Sequence, residues 1–253
     1  FDEEPVISGS RGSGAVFFSG CSLKCCFCQN FELSHGGFGK TVSTARLREI
    51  YFELIAQGVH NINLVNPTHF ANVIYDSLEG SLPVPVVWNS GGYEKVETLR
   101  RFEGRVQIYL PDLKYMRAES ARKYSRAADY FDYAAPALRE MLRQTGPAVI
   151  GTDGLMRSGV IIRHLILPGC ADESIEILDF IKRELPGAWV SLMAQYLPFG
   201  EAAGVDELGR RLTQAEYDRV ADHLLEIGLD DGFIQELSSS DEQYIPKFDL
   251  TGV

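Results

Sequence analysis

The stretch Ala15-Val-Phe-Phe-Ser-Gly-Cys21-Ser-Leu-Lys-Cys25-Cys-Phe-Cys28 joins a short apolar run to a group of cysteines. It holds four of the five cysteines of the 253-residue chain. Cys21, Cys25 and Cys28 have C-x3-C-x2-C spacing and directly follow a predicted strand. In parallel α/β folds, the loops at the carboxyl ends of the strands carry the active site. The stretch therefore predicts the first strand of a parallel sheet and the place of a functional site.

The rest of the chain alternates apolar runs with amphipathic segments of helix length, which is typical of βα units around a parallel sheet. The predicted strands cover residues 15–19, 61–66, 84–89, 106–110, 160–167 and 188–193. The predicted helices lie near residues 43–57, 70–79, 93–102, 118–143, 172–185 and 213–227. Ser43 and Thr213 are placed as N-caps, and Gly58 and Gly228 as terminators. The pattern predicts six βα units.

We expect a single domain over residues 1–253, because no linker or repeat divides the chain and α/β barrels commonly have this size. A short hairpin insertion is predicted at about residues 147–158, and Pro83 and Pro85 are expected at the entrance of the third strand. The tyrosines of the segment 118–143 are interpreted as packing residues. The C-terminal tail, residues 238–253, is polar and irregular in sequence.

The composition narrows the class of partner. A net charge of -11 without clustered Lys and Arg argues against nucleic acid. No run of about 18 apolar residues predicts a membrane span. Four cysteines too close together for loop-closing disulfides fit a reducing compartment, so we expect a cytoplasmic protein. Small molecules or proteins are the expected partners.

Three spaced cysteines favour an iron-sulfur cluster over zinc. A structural zinc site closes four ligands, and the distant candidates Cys170, His69 and His164 form no paired second half. A ferredoxin-type carrier fills all four iron positions with cysteine, whereas three thiolates leave one iron open for chemistry. Cys26 fits no spacing rule and is predicted to point away from the cluster. A non-catalytic iron-sulfur or zinc protein is the remote alternative.

With Phe27 one residue before the last cysteine, the loop of residues 20–30 resembles that of the radical S-adenosylmethionine (SAM) superfamily. The likeness extends to the pyruvate formate-lyase activating enzyme branch through Cys28-Gln-Asn30, Asp112-Leu-Lys114 and Arg163-His-Leu-Ile-Leu-Pro-Gly169. The uncharacterised iron-sulfur homologues of that enzyme are similar at Gly12-Ser-Gly-Ala-Val-Phe-Phe-Ser-Gly-Cys21, Ser191-Leu-Met-Ala-Gln-Tyr-Leu-Pro198 and Tyr244-Ile-Pro-Lys-Phe-Asp-Leu-Thr-Gly252.

The resemblance implies a partial (βα)6 barrel, open on one side, with SAM across the carboxyl ends of the strands. It implies an oxidoreductase in which a 4Fe-4S cluster on Cys21, Cys25 and Cys28 cleaves SAM reductively, giving a 5'-deoxyadenosyl radical for hydrogen abstraction. The implied partners are a low-potential electron donor of the flavodoxin or ferredoxin type and a protein or peptide substrate such as a glycyl radical enzyme. Radical modification of another peptide or of a small molecule is the alternative.

The resemblance also implies SAM contacts at the strand ends, although no catalytic residue is assigned. Neighbouring side chains of a strand alternate, so only one of Arg163 and His164 can face the cavity, and the resemblance implies that it is Arg163. Activating enzymes have Gly-Gly-Glu after the second strand where this chain has Asn66-Pro-Thr-His69, so the ligand's amino group needs other acceptors; His69 either caps the next helix or acts on substrate. The predicted SAM contacts are Phe27, Asn66, Thr68, Asn89, Ser90, Gly91, Asp112, Lys114, Arg163 and Gln195.

Overall fold

A computed structural model describes residues 4–237 and 248–253, in which one sheet is surrounded by helices. The strands are β1 (Gly14–Phe17), β2 (Ile62–Val65), β3 (Val86–Ser90), β4 (Ile108–Pro111), β5 (Val149–Ile150), β6 (Met156–Leu165), β7 (Trp189–Met193) and β8 (Gly232–Ile234). The α-helices are α1 (Pro5–Ser8), α2 (Phe31–Ser34), α3 (Thr44–Ala56), α4 (Ala71–Ser77), α5 (Val96–Arg101), α6 (Ala118–Ser125), α7 (Tyr130–Thr145), α8 (Ala171–Glu184) and α9 (Gln214–Glu226). Residues 68–70 and 200–204 form 3₁₀ helices.

The sheet has the strand order β1-β2-β3-β4-β6-β7-β8, and every neighbouring pair in this order is parallel. The carboxyl ends therefore meet at one edge, where Val65 pairs with Asn89 and an isolated bridge joins Asp112 to Arg163. Within the described ranges, no pairing joins β1 to β8, so the sheet curves without closing. The predicted open partial barrel is confirmed, with one parallel strand more than the six predicted.

Two elements differ from the sequence-based expectation. The strand β8 was not predicted, because its three residues are too short to give a periodic pattern. The segment 118–143 was expected as one helix, but it forms α6 and α7, and residues 126–129 separate them. Arg126 follows α6 with a left-handed φ of 58°. Glycine or asparagine normally adopts this conformation at the end of a helix, so an arginine gives no sequence signal that the helix ends there.

Other local predictions are confirmed. The Ser43 hydroxyl accepts a hydrogen bond from the Arg46 backbone N–H, and Thr213 forms a reciprocal capping box with Glu216. β3 begins at Val86, directly after the two prolines. At the predicted hairpin insertion, β5 pairs antiparallel with β6. Of the tail 238–253, residues 238–247 lie outside the described residues, as does the start of the quoted segment at Tyr244.

The core lies between the outer face of the sheet and the helices. Ile62 and Leu64 of β2 point outward and are fully buried, whereas Asn63 points into the barrel. Inward-facing residues form a second, smaller apolar cluster that includes Val87, Ile108 and Ile161, and both polar and apolar side chains line a cavity inside the barrel. In the part of the chain that the structure describes, no helix has the length and apolarity needed to cross a bilayer.

Candidate functional site

A cavity of about 780 Å³ occupies the interior of the barrel toward the carboxyl ends of the strands. Its volume lies within the range of about 300 to 1,000 Å³ that is usual for small-molecule sites. Residues after β1, β2, β3, β4 and β7 and within β6 line it, so the predicted strand-end residues come together here. Those among the predicted site residues are Cys21, Cys25, Phe27, Cys28, Asn66, Asn89, Ser90, Gly91, Asp112, Lys114, Arg163 and Gln195.

The cysteine loop follows β1 and exposes three of its four thiols to the cavity. Cys21, Cys25 and Cys28 line the cavity, while Cys26 is buried outside its lining. The Cys26 backbone N–H donates to the Tyr124 carbonyl of α6 at 2.8 Å, which turns this residue toward the helix. All described cysteines are free thiols. The predicted division into three cavity thiols and one packing thiol agrees with this arrangement.

The loop is fixed at both ends by contacts from distant segments. The Asn66 side-chain amide donates to the Gly20 carbonyl, just before the first cysteine. Asn66 reaches this position because its φ is 60°, a left-handed conformation that asparagine tolerates better than most residues. At the other side, the Lys24 backbone N–H donates to the Ser125 carbonyl of α6 at 3.3 Å. The thiols are therefore presented by a loop that is fixed on both sides.

Burial and neighbouring donors act in opposite directions on these thiols. Burial raises the pKa of Cys25 to about 12, although Lys114 and the Ser125 hydroxyl act to lower it. Burial also raises the pKa of Cys21, against a lowering by the Leu23 backbone N–H. Such thiols ionise when a cation replaces the lost hydration, as in metal ligation. The donor set suits a cluster that needs thiolates and supplies its own positive charge.

A buried ionic network lies beside the thiols, at the ends of β3, β4 and β6. The Asp112 carboxylate accepts from Lys114 Nζ at 2.6 Å and from Arg163 Nε at 2.9 Å. Arg163 Nη2 also donates to Asn89 Oδ1 at 2.8 Å. Burial would raise the pKa of Asp112, but the charges of Arg163 and Lys114 outweigh it and hold that pKa below its usual value. The network carries two cations and one carboxylate, which favours a ligand bearing its own carboxylate.

The backbone at the ends of β3 and β4 is held together by Tyr130 of α7, which the sequence analysis interpreted as a packing residue. Its hydroxyl accepts from the Lys114 backbone N–H at 3.0 Å and lies 2.8 Å from the Gly91 carbonyl. Gly92 has a φ of 75°, and a Cβ there would lie 2.1 Å from the Asp112 carbonyl oxygen. No signal in a tyrosine-rich amphipathic helix identifies Tyr130 as the one that reaches the strand ends.

The residues after β2 separate into two groups. Asn66 lines the cavity, but the Thr68 hydroxyl donates to Oε1 of the buried Glu94 at 2.8 Å and lies outside the cavity lining. His69 Nε2 lies 2.7 Å from the Ser19 carbonyl, so this ring supports the start of the cysteine loop. Among the residues predicted to contact the ligand here, only Asn66 is in the described cavity lining.

Arg163 and His164 occupy opposite faces of β6, as strand alternation predicts. Arg163 lines the cavity, whereas His164 is buried under α8. His164 Nδ1 lies 2.7 Å from the Leu113 carbonyl, and Nε2 lies 2.8 Å from the Ser174 hydroxyl. Burial lowers the pKa of His164 to about 4, so the ring is neutral at physiological pH.

Phe27 and Gln195 complete the predicted set from two sides of the cavity. Phe27 is buried, and its ring meets that of Tyr196 edge-on with centroids 6.2 Å apart. The Gln195 carbonyl accepts from Gln29 Nε2 at 3.3 Å, which ties the end of β7 to the cysteine loop. Both residues line the cavity, which is the place expected for a residue that contacts the ligand.

Several polar residues of the cavity were missed. Glu4, Ser8, Ser13 and Asn63 line the end of the cavity away from the thiols. The Glu4 carboxylate accepts from the Ser191 hydroxyl at 3.0 Å. The alternation Asn61-Ile-Asn63 within a buried strand was a signal for an inward polar residue, but no pattern announces Glu4.

No group of three or more His, Cys, Asp or Glu side chains in residues 4–237 and 248–253 is placed to hold a single metal ion. The ligands of a closed structural zinc site converge on one point, whereas the thiolates of an iron-sulfur cluster bind different irons. Cys21, Cys25 and Cys28 line one cavity, where thiolates that bind different irons would lie.

Known proteins are similar to this chain in sequence or in fold. No protein-family model matches the chain. An uncharacterised protein of Methanocaldococcus jannaschii is 32% identical over 240 residues, which cover 90% of this chain and 65% of that protein.

Three solved structures share the fold at low identity. Streptococcus suis SuiB bound to S-adenosylmethionine has a TM-score of 0.61 and 14% identity, covering 93% of this chain and 51% of SuiB. SuiB bound to its precursor peptide SuiA has a TM-score of 0.58 and 10% identity, covering 88% and 48%. HydG, a maturase of the [FeFe]-hydrogenase, has a TM-score of 0.56 and 12% identity, covering 88% and 50%. The chain thus spans about half the length of these structures, and it shares with them the fold of an open, parallel α/β partial barrel.

Proposed function

We propose that this protein is a radical SAM enzyme that binds a 4Fe-4S cluster and S-adenosylmethionine in the barrel cavity. The observation that carries the proposal is the meeting, in one cavity, of the three C-x3-C-x2-C thiols with the Asp112, Lys114 and Arg163 network. When bound, the cluster and SAM supply reductive cleavage to a 5'-deoxyadenosyl radical that abstracts hydrogen. The chain binds these groups and orients them.

The predicted site residues that line the cavity each have a proposed part in holding the cofactors. Cys21, Cys25 and Cys28 ligate three irons and leave the fourth to SAM. Lys114 and Arg163 meet the ligand's carboxylate, for which their charges are suited.

The remaining contacts concern the adenosine and amino parts of SAM. Phe27 lies against the adenine, while Asp112, Asn89, Ser90 and Gln195 serve the ribose hydroxyls and the amino group through their acceptors. The Gly91 and Asn66 backbones border the same space. Thr68 is left out, because its hydroxyl donates to Glu94.

Anaerobic reconstitution with iron and sulfide tests the class of enzyme. The wild type should take up about four irons, and after dithionite reduction it should release methionine and 5'-deoxyadenosine from SAM. Cys25→Ser should lose both properties, because it removes a cluster ligand. Cys26→Ser is the matched control in the same loop and should retain both, since Cys26 lies outside the cavity lining.

Three results contradict the proposal. A wild type that binds a single zinc, or one whose cluster has an EPR spectrum that does not respond to SAM, would favour a non-catalytic metal protein. Cys25→Ser that cleaves SAM as well as the wild type does would show that Cys25 is not a cluster ligand.

For the substrate, we propose a peptide segment, with a glycyl radical enzyme as the first candidate. In residues 4–237 and 248–253 no pairing joins β1 to β8, and a peptide backbone would approach the cavity from this side of the sheet. SuiB, of the same fold, has been solved bound to a precursor peptide. An EPR search for a glycyl radical in a mixture with a glycyl radical enzyme, with a flavodoxin or ferredoxin as electron donor, tests this candidate. SAM cleavage without that radical would favour another peptide or a small molecule.

A further inference from the structure

Two of the three cavity thiols accept a hydrogen bond from a serine hydroxyl contributed by a helix. Ser125 Oγ, at the end of α6, donates to Cys25 Sγ at 2.9 Å. Ser34 Oγ, at the end of α2, donates to Cys28 Sγ at 3.2 Å. These serine–thiol pairs come from different elements, and both serines are buried.

Each serine is itself in contact with a second polar group. The Tyr115 hydroxyl lies 2.7 Å from Ser125 Oγ, and His35 Nδ1 lies 2.8 Å from Ser34 Oγ. A serine has one hydroxyl hydrogen, and a thiolate accepts only. When Cys25 is a thiolate, the Ser125 hydrogen must point to sulfur, so Tyr115 must donate to Ser125. By the same reasoning, His35 must carry a hydrogen on Nδ1 and donate to Ser34.

The donors face sulfurs that hold more negative charge after reduction. A hydrogen bond to a charged acceptor is stronger than one to a neutral acceptor, and its strength grows in a medium of low dielectric constant. A donor therefore stabilises the reduced cluster more than the oxidised one, which raises the reduction potential. Cys21 differs from the other two thiols, because the group that acts to lower the pKa of its thiol is the Leu23 backbone N–H, which no substitution of a side chain removes.

On the basis of the proposed cluster, we infer that Ser125 and Ser34 are positioning residues that set its reduction potential, with Tyr115 and His35 orienting their hydroxyls. The pair at Cys25 has the greater effect, because its hydrogen bond is shorter and both partners are more deeply buried than in the pair at Cys28. Because the hydrogen bonds raise the reduction potential of the cluster, an electron donor with a less negative potential can reduce it.

Redox titration of the reconstituted cluster, followed by EPR, tests this inference without relying on turnover. Ser125→Ala and Ser34→Ala should each lower the ratio of reduced to oxidised cluster at a fixed potential by roughly threefold to tenfold, and tenfold is about 59 mV for a one-electron couple. Ser125→Ala should give the larger shift. Ser125→Thr and Ser34→Thr keep a hydroxyl and should restore the wild-type potential.

The controls separate this inference from the proposed function. Ser43→Ala removes a helix cap far from the cavity and should leave the potential unchanged. If Ser125→Ala does not take up a cluster, Tyr115→Phe decides the case, because it retains the serine; it should shift the potential in the same direction by a smaller amount. A wild-type cluster that cleaves SAM while both alanine variants keep its potential would overturn the inference alone. A wild type that forms no cluster would overturn the proposed function.

Discussion

Two groups of buried polar side chains lie at the same level of the sheet, on opposite faces of β4 and β6. The inner group, Asp112, Lys114 and Arg163, is charged and borders the cavity. The outer group centres on His164, which is neutral and is enclosed by Leu113 and Ser174. Burial of polar atoms is common to both, so it does not distinguish a site from a structural contact. What distinguishes them is the presence of charged side chains next to an open volume.

The largest expected effect is at the centre of the inner group. Asp112→Asn leaves Lys114 and Arg163 buried without their shared counter-ion, so the free energy of unfolding should fall by about 3 to 5 kcal/mol. Urea denaturation measures this change. Asp153→Asn breaks an ion pair with Arg157 at the surface and should give no measurable change, because solvent screens such pairs. Equal stability of Asp112→Asn and the wild type would mean that the network is not formed.

The second effect belongs to the outer group and depends on pH. Burial lowers the pKa of His164 from 6.5 to about 4, so between these pH values the imidazole is protonated in the unfolded chain and neutral in the folded chain. The free energy of unfolding should therefore fall by about 3 kcal/mol as the pH decreases from 6.5 to 4. His164→Gln should remove this part of the pH dependence.

Ser43→Ala is the control for that experiment. It removes the N-cap of α3 without removing a titratable group, so it should lower the free energy of unfolding and keep the slope of the wild type. A slope that survives in His164→Gln would show that His164 does not titrate as a buried neutral ring.

A smaller effect is expected where the inner group joins the backbone. Tyr130→Phe removes the hydroxyl that links Lys114 N–H to the Gly91 carbonyl. The free energy of unfolding should fall by about 1 to 3 kcal/mol, because two buried backbone groups lose a hydrogen-bond partner. SAM affinity, measured by calorimetry on the reconstituted protein, should fall as well, since Gly91 borders the cavity. Tyr133→Phe, on an exposed part of the same helix, should change neither quantity.

The smallest effect lies outside both groups. Thr213→Ala removes the N-cap of α9 and should cost about 1 kcal/mol in the free energy of unfolding, with SAM affinity unchanged. Thr213→Ser should restore the stability, because serine caps equally well. A loss of SAM affinity in Thr213→Ala would show that the cavity depends on the outer helices more than the inner network implies.

The inner group was predictable because Asp112-Leu-Lys114 and Arg163 match motifs of a known family. Local rules added that His164 must face away from Arg163 on β6, and the cysteine spacing selected three thiols of four. Ser34, Ser125 and Tyr130 were not predictable, because helices bring them to the site by packing over long sequence separations. Thr68 lies next to a strand end, which suggested a ligand contact, but its hydroxyl donates to the buried Glu94 and it lies outside the cavity lining.

The hairpin of β5 and β6 has a practical use. Its turn around Gly154 lies at the amino end of β6, while Arg163 lies near the carboxyl end, and the intervening strand of nine residues spans roughly 30 Å at about 3.3 Å per residue. Val149 and Ile150 are exposed beside this turn. An affinity tag or a surface linker attached at the turn would therefore immobilise the protein with its thiol-lined cavity facing away from the support.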